Sequence, residues 1–266
     1  MKLDQLPEPG AANIPLRDKL PKTTEGSFIT DQRGPTCGIY ALYFAFKILG
    51  IEAPPPTKDH NSQTDTKISL RKIAKDIGVT KIGELFSSED VILIANKTQA
   101  KTSIAEFSDL VKFSELLKES INNRSLVMLS FKLNGGSDKE KSSLPATDEK
   151  GTGGAHWCLA IGIQDDYAII IHYGNYWKVP IPDLFKSNQL LTTFPKSVWI
   201  KPKEIGDLIY SDAKFKEDEF KNYKNPEDIS NYFKSKKSKI NEEHIAIFEE
   251  TSLSGLKNQM VIISTL

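Results

Sequence analysis

The stretch Asp31-Gln32-Arg33-Gly34-Pro35-Thr36-Cys37-Gly38-Ile39-Tyr40-Ala41-Leu42-Tyr43-Phe44-Ala45-Phe46-Lys47-Ile48-Leu49-Gly50 decides how the rest of the chain is read. A polar turn punctuated by glycine and proline delivers a cysteine to a run that is apolar on nearly every side, and Gly50 stands where such a helix would stop. The expectation is a buried helix with a thiol in its first turn. The unpaired N–H groups and macrodipole of a helix start favour negative charge, so a thiolate at Cys37 is stabilised there and gains nucleophilicity. Gln32, five residues upstream, offers a side-chain N–H beside the Cys37 backbone N–H, and two donors aimed at one point form an oxyanion hole. Taken alone, a free cysteine more often packs as a small hydrophobe. The nucleophilic reading therefore requires a histidine elsewhere in the chain.

That histidine stands in Gly154-Ala155-His156-Trp157-Cys158-Leu159-Ala160-Ile161-Gly162-Ile163, where it opens an apolar strand after a long polar loop from Asn134 to Gly154. Loops of this length inside a compact domain often serve as lids or binding loops. Gln164-Asp165-Asp166 makes a turn and Tyr167-Ala168-Ile169-Ile170-Ile171-His172 runs back, a hairpin that carries His156 and His172 near one end. A cysteine on a helix and a histidine on a distant strand meet only after folding, as a Cys/His nucleophilic site requires. The imidazolium supports the thiolate and then gives its proton to the leaving group. A third group must orient the ring, and His172 and Asn175 are the candidates. A hairpin centred on Asp165-Asp166 sets Asn175 opposite His156, whereas a half-residue shift sets His172 opposite Cys158, which shares a face with His156. Both remain open. Cys158 is expected to be buried packing, with a thiol near the site as its alternative. A zinc site built from Cys37, His156, Cys158 and His172 lacks the usual paired short spacings, and no metal or cofactor is expected.

Composition narrows the classes. The 266 residues form one large domain by default, and 35 basic against 35 acidic side chains leave no net field to draw nucleic acid or an anionic membrane. Two cysteines are too few for a disulfide framework, and Met1-Lys2-Leu3-Asp4-Gln5-Leu6-Pro7 lacks the apolar core of a secretory signal. No apolar run is long enough for a membrane span. The expectation is a monomer in a reducing cytosol, or in a host's cytosol if the protein is a delivered effector.

Around the two key stretches the chain reads as scaffold. Residues 1–27 carry Pro7, Pro9, Pro15 and Pro21 without an apolar period, which predicts a flexible, extended arm. Ser69 to Gly78 reads as a capped amphipathic helix, Ser87-Ser88-Glu89-Asp90 opens a second with capping-box spacing, and Phe113 to Ile121 gives a third. Leu126 to Leu133 and Met260 to Ile263 read as strands. Between them, residues 206–250 are rich in lysine, acidic residues and scattered aromatics, a charged insertion in a single domain spanning 28–266. Lys234-Ser235-Lys236-Lys237-Ser238-Lys239 is a basic patch read as a solvated helix end, with docking of an acidic partner as the alternative. His60 and His244 are given no role.

Gln32 through Ala41 and Gly154 through Cys158 resemble the glutamine/cysteine and histidine motifs of papain-like cysteine peptidases of the C39-like kind. The likeness is closer to the actin maturation protease family, which has a similar Q-x-G-P-x-C-G-x-x-A-L helix start and an A-H-W strand. Further landmarks are similar too: Gly83-Glu84-Leu85-Phe86-Ser87, the Tyr173-Gly174-Asn175 turn, Ser187-Asn188-Gln189-Leu190-Leu191 and Leu253-Ser254-Gly255-Leu256. The resemblance implies an α+β papain-like fold, with the Cys37 helix packed on an antiparallel sheet that bears His156. It implies removal of an acetylated N-terminal residue from actin or a similar protein, with Cys37 as nucleophile, His156 as acid/base and Gln32 as oxyanion donor. His172 occupies the place where papain-like enzymes keep an orienting Asn or Asp, and a histidine there brings no fixed negative charge. The rival readings are a transglutaminase or deamidase using the same Cys/His pair, and a catalytically inactive protein-binding module.

Overall fold

Thirteen residues, Cys37–Leu49, form α1 in a computed structural model that describes residues 1–20, 36–57, 68–80, 83–194, 197–200, 227–228, 230–231, 245–248 and 250–265. Gly50 ends the helix as expected, in the left-handed region at φ 72°, with its N–H turned back to Lys47 and Phe46. Ile39, Leu42, Ala45 and Phe46 are fully enclosed, so α1 is an interior helix rather than a surface one.

Two short helices close over α1. Leu70–Asp76 (α2) is capped by the Ser69 hydroxyl, which accepts from Lys72 N–H at 3.0 Å. Ser88–Ala95 (α3) begins with the capping box foreseen at Ser87 and Asp90, each side chain bonding the other's backbone N–H. Further helices among the described residues are Leu110–Asn122 (α4), capped by Asp109 and starting three residues ahead of the predicted Phe113, Lys139–Ser142 (α5) and Ile181–Gln189 (α6).

The strands are Lys2–Leu3 (β1), Lys101–Glu106 (β2), Leu126–Lys132 (β3), Ala155–Gln164 (β4), Tyr167–His172 (β5), Asn175–Pro180 (β6), Thr193–Phe194 (β7), Ser197–Ile200 (β8), Ile245–Phe248 (β9), Thr251–Ser252 (β10) and Gln259–Ser264 (β11). Seven of them make one antiparallel sheet in the order β1-β6-β5-β4-β3-β11-β2. Side-chain alternation splits the core across its two faces. Leu126, Met128, Trp157, Leu159, Ile169 and Val261 face α1 and its neighbours. Val127, Leu129, Phe131, Cys158, Ile170 and Met260 face the layer of α4 and α6. The chain is thus α+β, with an antiparallel sheet between two helical layers. Cys158 is fully buried, as its reading as packing required.

Residues 1–20, expected as a flexible arm, are built into this core. β1 pairs with β6, Asn13 exchanges backbone hydrogen bonds with Ile163, and Ile14, Leu16 and Leu20 are buried. The segment is extended, but single apolar residues between prolines anchor it. Gly162 permits the close approach, since a Cβ there would lie 2.5 Å from the Ile14 side chain. The 206–250 insertion, the lysine patch at 234–239, His60 and His244 lie wholly or largely outside the described residues. Among the described residues no helix is long and apolar enough to cross a membrane.

One side chain staples the C-terminal part to the centre of the sheet. Asn188 Nδ2 donates to the carbonyls of Ser130 and Leu256, both at 2.9 Å, and its Oδ1 accepts from Asn258 N–H at 2.8 Å. Asn188 is 2% exposed, so these bonds are made inside the fold, and the Leu256 carbonyl also accepts from the Ser130 hydroxyl at 3.1 Å. Asn188→Leu, which keeps the volume and removes all three bonds, is expected to destabilise by about 3 kcal/mol, seen as a lower urea midpoint with an unchanged slope.

Candidate active site

The site forms where the start of α1 abuts the start of β4. Cys37 is the first residue of the helix and half-buried. The backbone N–H groups of Trp157, Gly38 and Cys37 itself point at its sulfur. Gly38 allows this closeness, because a Cβ there would sit 3.0 Å from Trp157 Cδ1 and 2.8 Å from Leu85 Cδ1. The Trp157 indole then donates to the Leu85 carbonyl at 3.0 Å, tying the loop before α3 to the histidine-bearing strand.

Trp157 turns toward α1, so by alternation its neighbour His156 turns to the other face of β4. There it meets an aromatic box. The His156 ring lies 4.3 Å from the Tyr173 ring, 5.2 Å from the His172 ring and 5.6 Å from Phe131, centroid to centroid. His172 in turn lies 4.6 Å from Trp177, whose indole donates to the His172 carbonyl at 3.2 Å. Both histidines are 3% exposed. His156 Nε2 and both ring nitrogens of His172 have no hydrogen-bond partner among the described residues.

The structure therefore brings the Cys37 thiol to the backbone of the residue beside His156, and it brings His156 and His172 into ring contact. A β-bulge between Ala160 and Gly162 pairs Leu159 with Ile171, so His172 comes level with Cys158, the half-residue shift anticipated from the sequence. Asn175 is carried away onto β6, opposite His172, and its side-chain N–H is spent on the Tyr173 carbonyl at 2.6 Å. Tyr173 (φ 47°) and Gly174 (φ 65°) are both left-handed, as a tight two-residue hairpin turn demands. Gln32 lies outside the described residues.

Charge balance differs from the expected thiolate–imidazolium pair. Burial pushes the Cys37 thiol up to about 11, outweighing the three backbone N–H groups that pull it down, and a nearby Glu84 adds to the rise. Burial likewise pushes the His156 ring down to about 3. Desolvation dominates both, so the resting groups are a neutral thiol and a neutral imidazole. Glu84, which the sequence marks only as part of a motif, is a second buried group at the thiol; its carboxyl is pushed up to about 8 by burial. Among the described residues no group of three or more His, Cys, Asp or Glu is placed to hold a metal.

On the outer side of Tyr173 lies a cavity of about 420 Å³ lined by Lys2, Glu140, Ser142, Ser143, Asn175 and Trp177 as well. Three of these belong to the 134–154 loop, which folds back on itself through Asn134 N–H to Leu144, Gly135 N–H to Ser142 and Thr152 N–H to Asn134.

A helix led by a cysteine and laid on an antiparallel sheet whose strand opens on a histidine is the arrangement of papain-like cysteine peptidases. Over residues 29–164, a stretch that holds Gln32, Cys37 and His156, the sequence matches the family described as actin maturation protease-like, C-terminal domain. The chain belongs to that family. Among solved structures, a candidate C39-like peptidase from Bacillus anthracis is 14% identical, with 66% of this chain and 91% of that chain covered, at a TM-score of 0.41. No curated protein matches the chain.

Proposed function

We propose that the protein is a cysteine peptidase that removes an acyl-capped N-terminal residue from a protein substrate, actin or a protein like it. The observation that carries this reading is the Cys37 thiol at the head of α1, held against the Trp157 N–H next to His156. Family membership supports the peptidase class, and the family's description makes actin the substrate to test first.

In this mechanism Cys37 Sγ attacks the carbonyl carbon of the scissile amide while its proton passes to His156, whose ring has to turn out of its aromatic box toward the thiol to receive it. The developing oxyanion is met by the Cys37 backbone N–H and, by resemblance, by the Gln32 side chain. His156, now an imidazolium, gives its proton to the departing amine as the C–N bond breaks, leaving a thioester on Cys37. Water then adds to the thioester with His156 as base, releasing the acylated amino acid and restoring the thiol. His172 acts on His156 by packing rather than by a charge, since both rings are neutral and in contact.

The test is to incubate the protein, beside a Cys37→Ala control, with an Nα-acetylated actin N-terminal peptide and to follow the peptide mass. Loss of one acetylated residue with the wild type alone is the expected result. An intact peptide alongside rapid alkylation of Cys37 overturns the proposed substrate, and ammonia release from a glutamine peptide would replace hydrolysis with deamidation.

A further inference from the structure

Glu84 stands in Gly83-Glu84-Leu85-Phe86-Ser87, just ahead of α3, and is 8% exposed. Both of its carboxyl oxygens are buried and have no hydrogen-bond partner among the described residues. The loop beneath it is fixed on two sides, by the Trp157 indole on the Leu85 carbonyl at 3.0 Å and by the Leu85 side chain lying over Gly38. Its carboxyl is close enough to Cys37 for its charge to bear on the thiol. A buried polar group left unpaired costs stability, and where one persists beside a nucleophile a bound partner is the natural completion.

Burial keeps this carboxyl protonated up to about pH 8. A protonated carboxyl carries an O–H donor and a C=O acceptor side by side. An acyl amide offers that O–H donor a carbonyl oxygen that accepts, while the N–H of its trans form points the other way. A free α-amine is charged at neutral pH and offers only donors, so it would suit an ionised carboxylate instead.

We propose that Glu84 is the specificity-determining residue for the acyl cap, its carboxyl donating to the cap's carbonyl oxygen. This rests on the reading of the protein as a peptidase for capped N-termini. In such a substrate the cap amide adjoins the residue whose carbonyl Cys37 attacks, so a group that reads the cap must stand beside the nucleophile. Glu84 stands there, next to the Leu85 side chain that lies over Gly38, shielded from water that would compete for that hydrogen bond.

The test uses two peptides of one sequence, one Nα-acetylated and one with a free amine. Binding is measured by calorimetry on a Cys37→Ala background, where no turnover occurs. Glu84→Leu is expected to weaken the acetylated peptide by roughly tenfold, the value of one hydrogen bond, and to leave the free-amine peptide nearly unaffected. Glu84→Gln, whose carboxamide N–H still donates, retains most of the affinity. With Cys37 intact, Glu84→Leu raises KM for the acetylated peptide more than it lowers kcat, a split that a merely structural role would not produce. Unchanged binding in Glu84→Leu, equal loss in both variants, or no binding of the acetylated peptide at all overturns the assignment. The expected binding pattern with no cleavage by the wild type overturns the peptidase reading and leaves the role of Glu84 standing.

Discussion

His156→Ala and Cys37→Ala should each lower kcat/KM on a capped peptide by about a thousandfold or more, and the double variant should be no slower than the worse single one. The reason lies in the resting charges. A thiol held near 11 and a ring held near 3 are both poor reagents alone. In the proposed mechanism each becomes reactive only through proton transfer between them, so removing either partner removes the whole step. The same coupling predicts that His156→Gln slows alkylation of Cys37 by iodoacetamide at pH 7, while fully buried Cys158 stays unlabelled in the folded protein. Thermal melts of the variants separate chemistry from unfolding. Wild-type turnover persisting in His156→Ala would remove His156 from the mechanism.

The second large effect is on folding. Stability should peak near pH 6.5 and fall on both sides, because buried groups of opposite type dominate the two limbs. Burial holds His156 down to about 3, and it holds His172 well below the ordinary histidine value, with the charges of His156 and the N-terminus adding to the effect. Unfolded histidines take their protons near pH 6.5, whereas the folded rings refuse them until far lower. In that window the unfolded state binds more protons, and stability drops as pH falls by up to about 1.4 kcal/mol per unit for each ring. Glu84 acts in reverse: unfolded it loses its proton near 4.5, and folded it keeps it to about 8. Between those values the folded state binds more protons, so stability declines as pH rises. Two rings outweigh one carboxyl below pH 6.5, and the carboxyl acts alone above it. Urea titrations at three pH values read this directly. His172→Phe, which keeps an aromatic ring against Phe131 and Trp177, should soften the acid limb, and Glu84→Gln should flatten the alkaline one. A wild-type stability constant from pH 6.5 to 8 would contradict the buried carboxyl.

Local signals in the sequence carried much of the architecture. The Cys37 helix, its Gly50 stop, the Ser69 cap and the Ser87/Asp90 capping box are written in neighbouring residues and appear where they were expected. The β4–β5 hairpin and its alternation, including Cys158 in the core, follow from a period of two. What escaped depends on distant partners. Lys101–Glu106 is a strand only because β11 pairs along its whole length, and its mostly polar sequence carries no apolar alternation. Ile14, Leu16 and Leu20 look like isolated apolar residues until folding buries them, Ile14 against Gly162. Burial itself is invisible to a sequence, and burial is what reverses the expected ionisation of Cys37 and singles out Glu84 from the other acidic residues.

The order of the sheet also bears on how the chain is made. β11 lies between β3 and β2, although more than a hundred residues of sequence separate it from either. While a ribosome is still extending the chain, β2 has no neighbour and β3 keeps one raw edge, because the strand that bridges them has not left the exit tunnel. The helix with Cys37 and the strand with His156 are finished long before, yet the floor they share stays split until residue 264 emerges. In that interval the half-made sheet presents an unpaired edge open to pairing with other chains, and the arrival of β11 closes it.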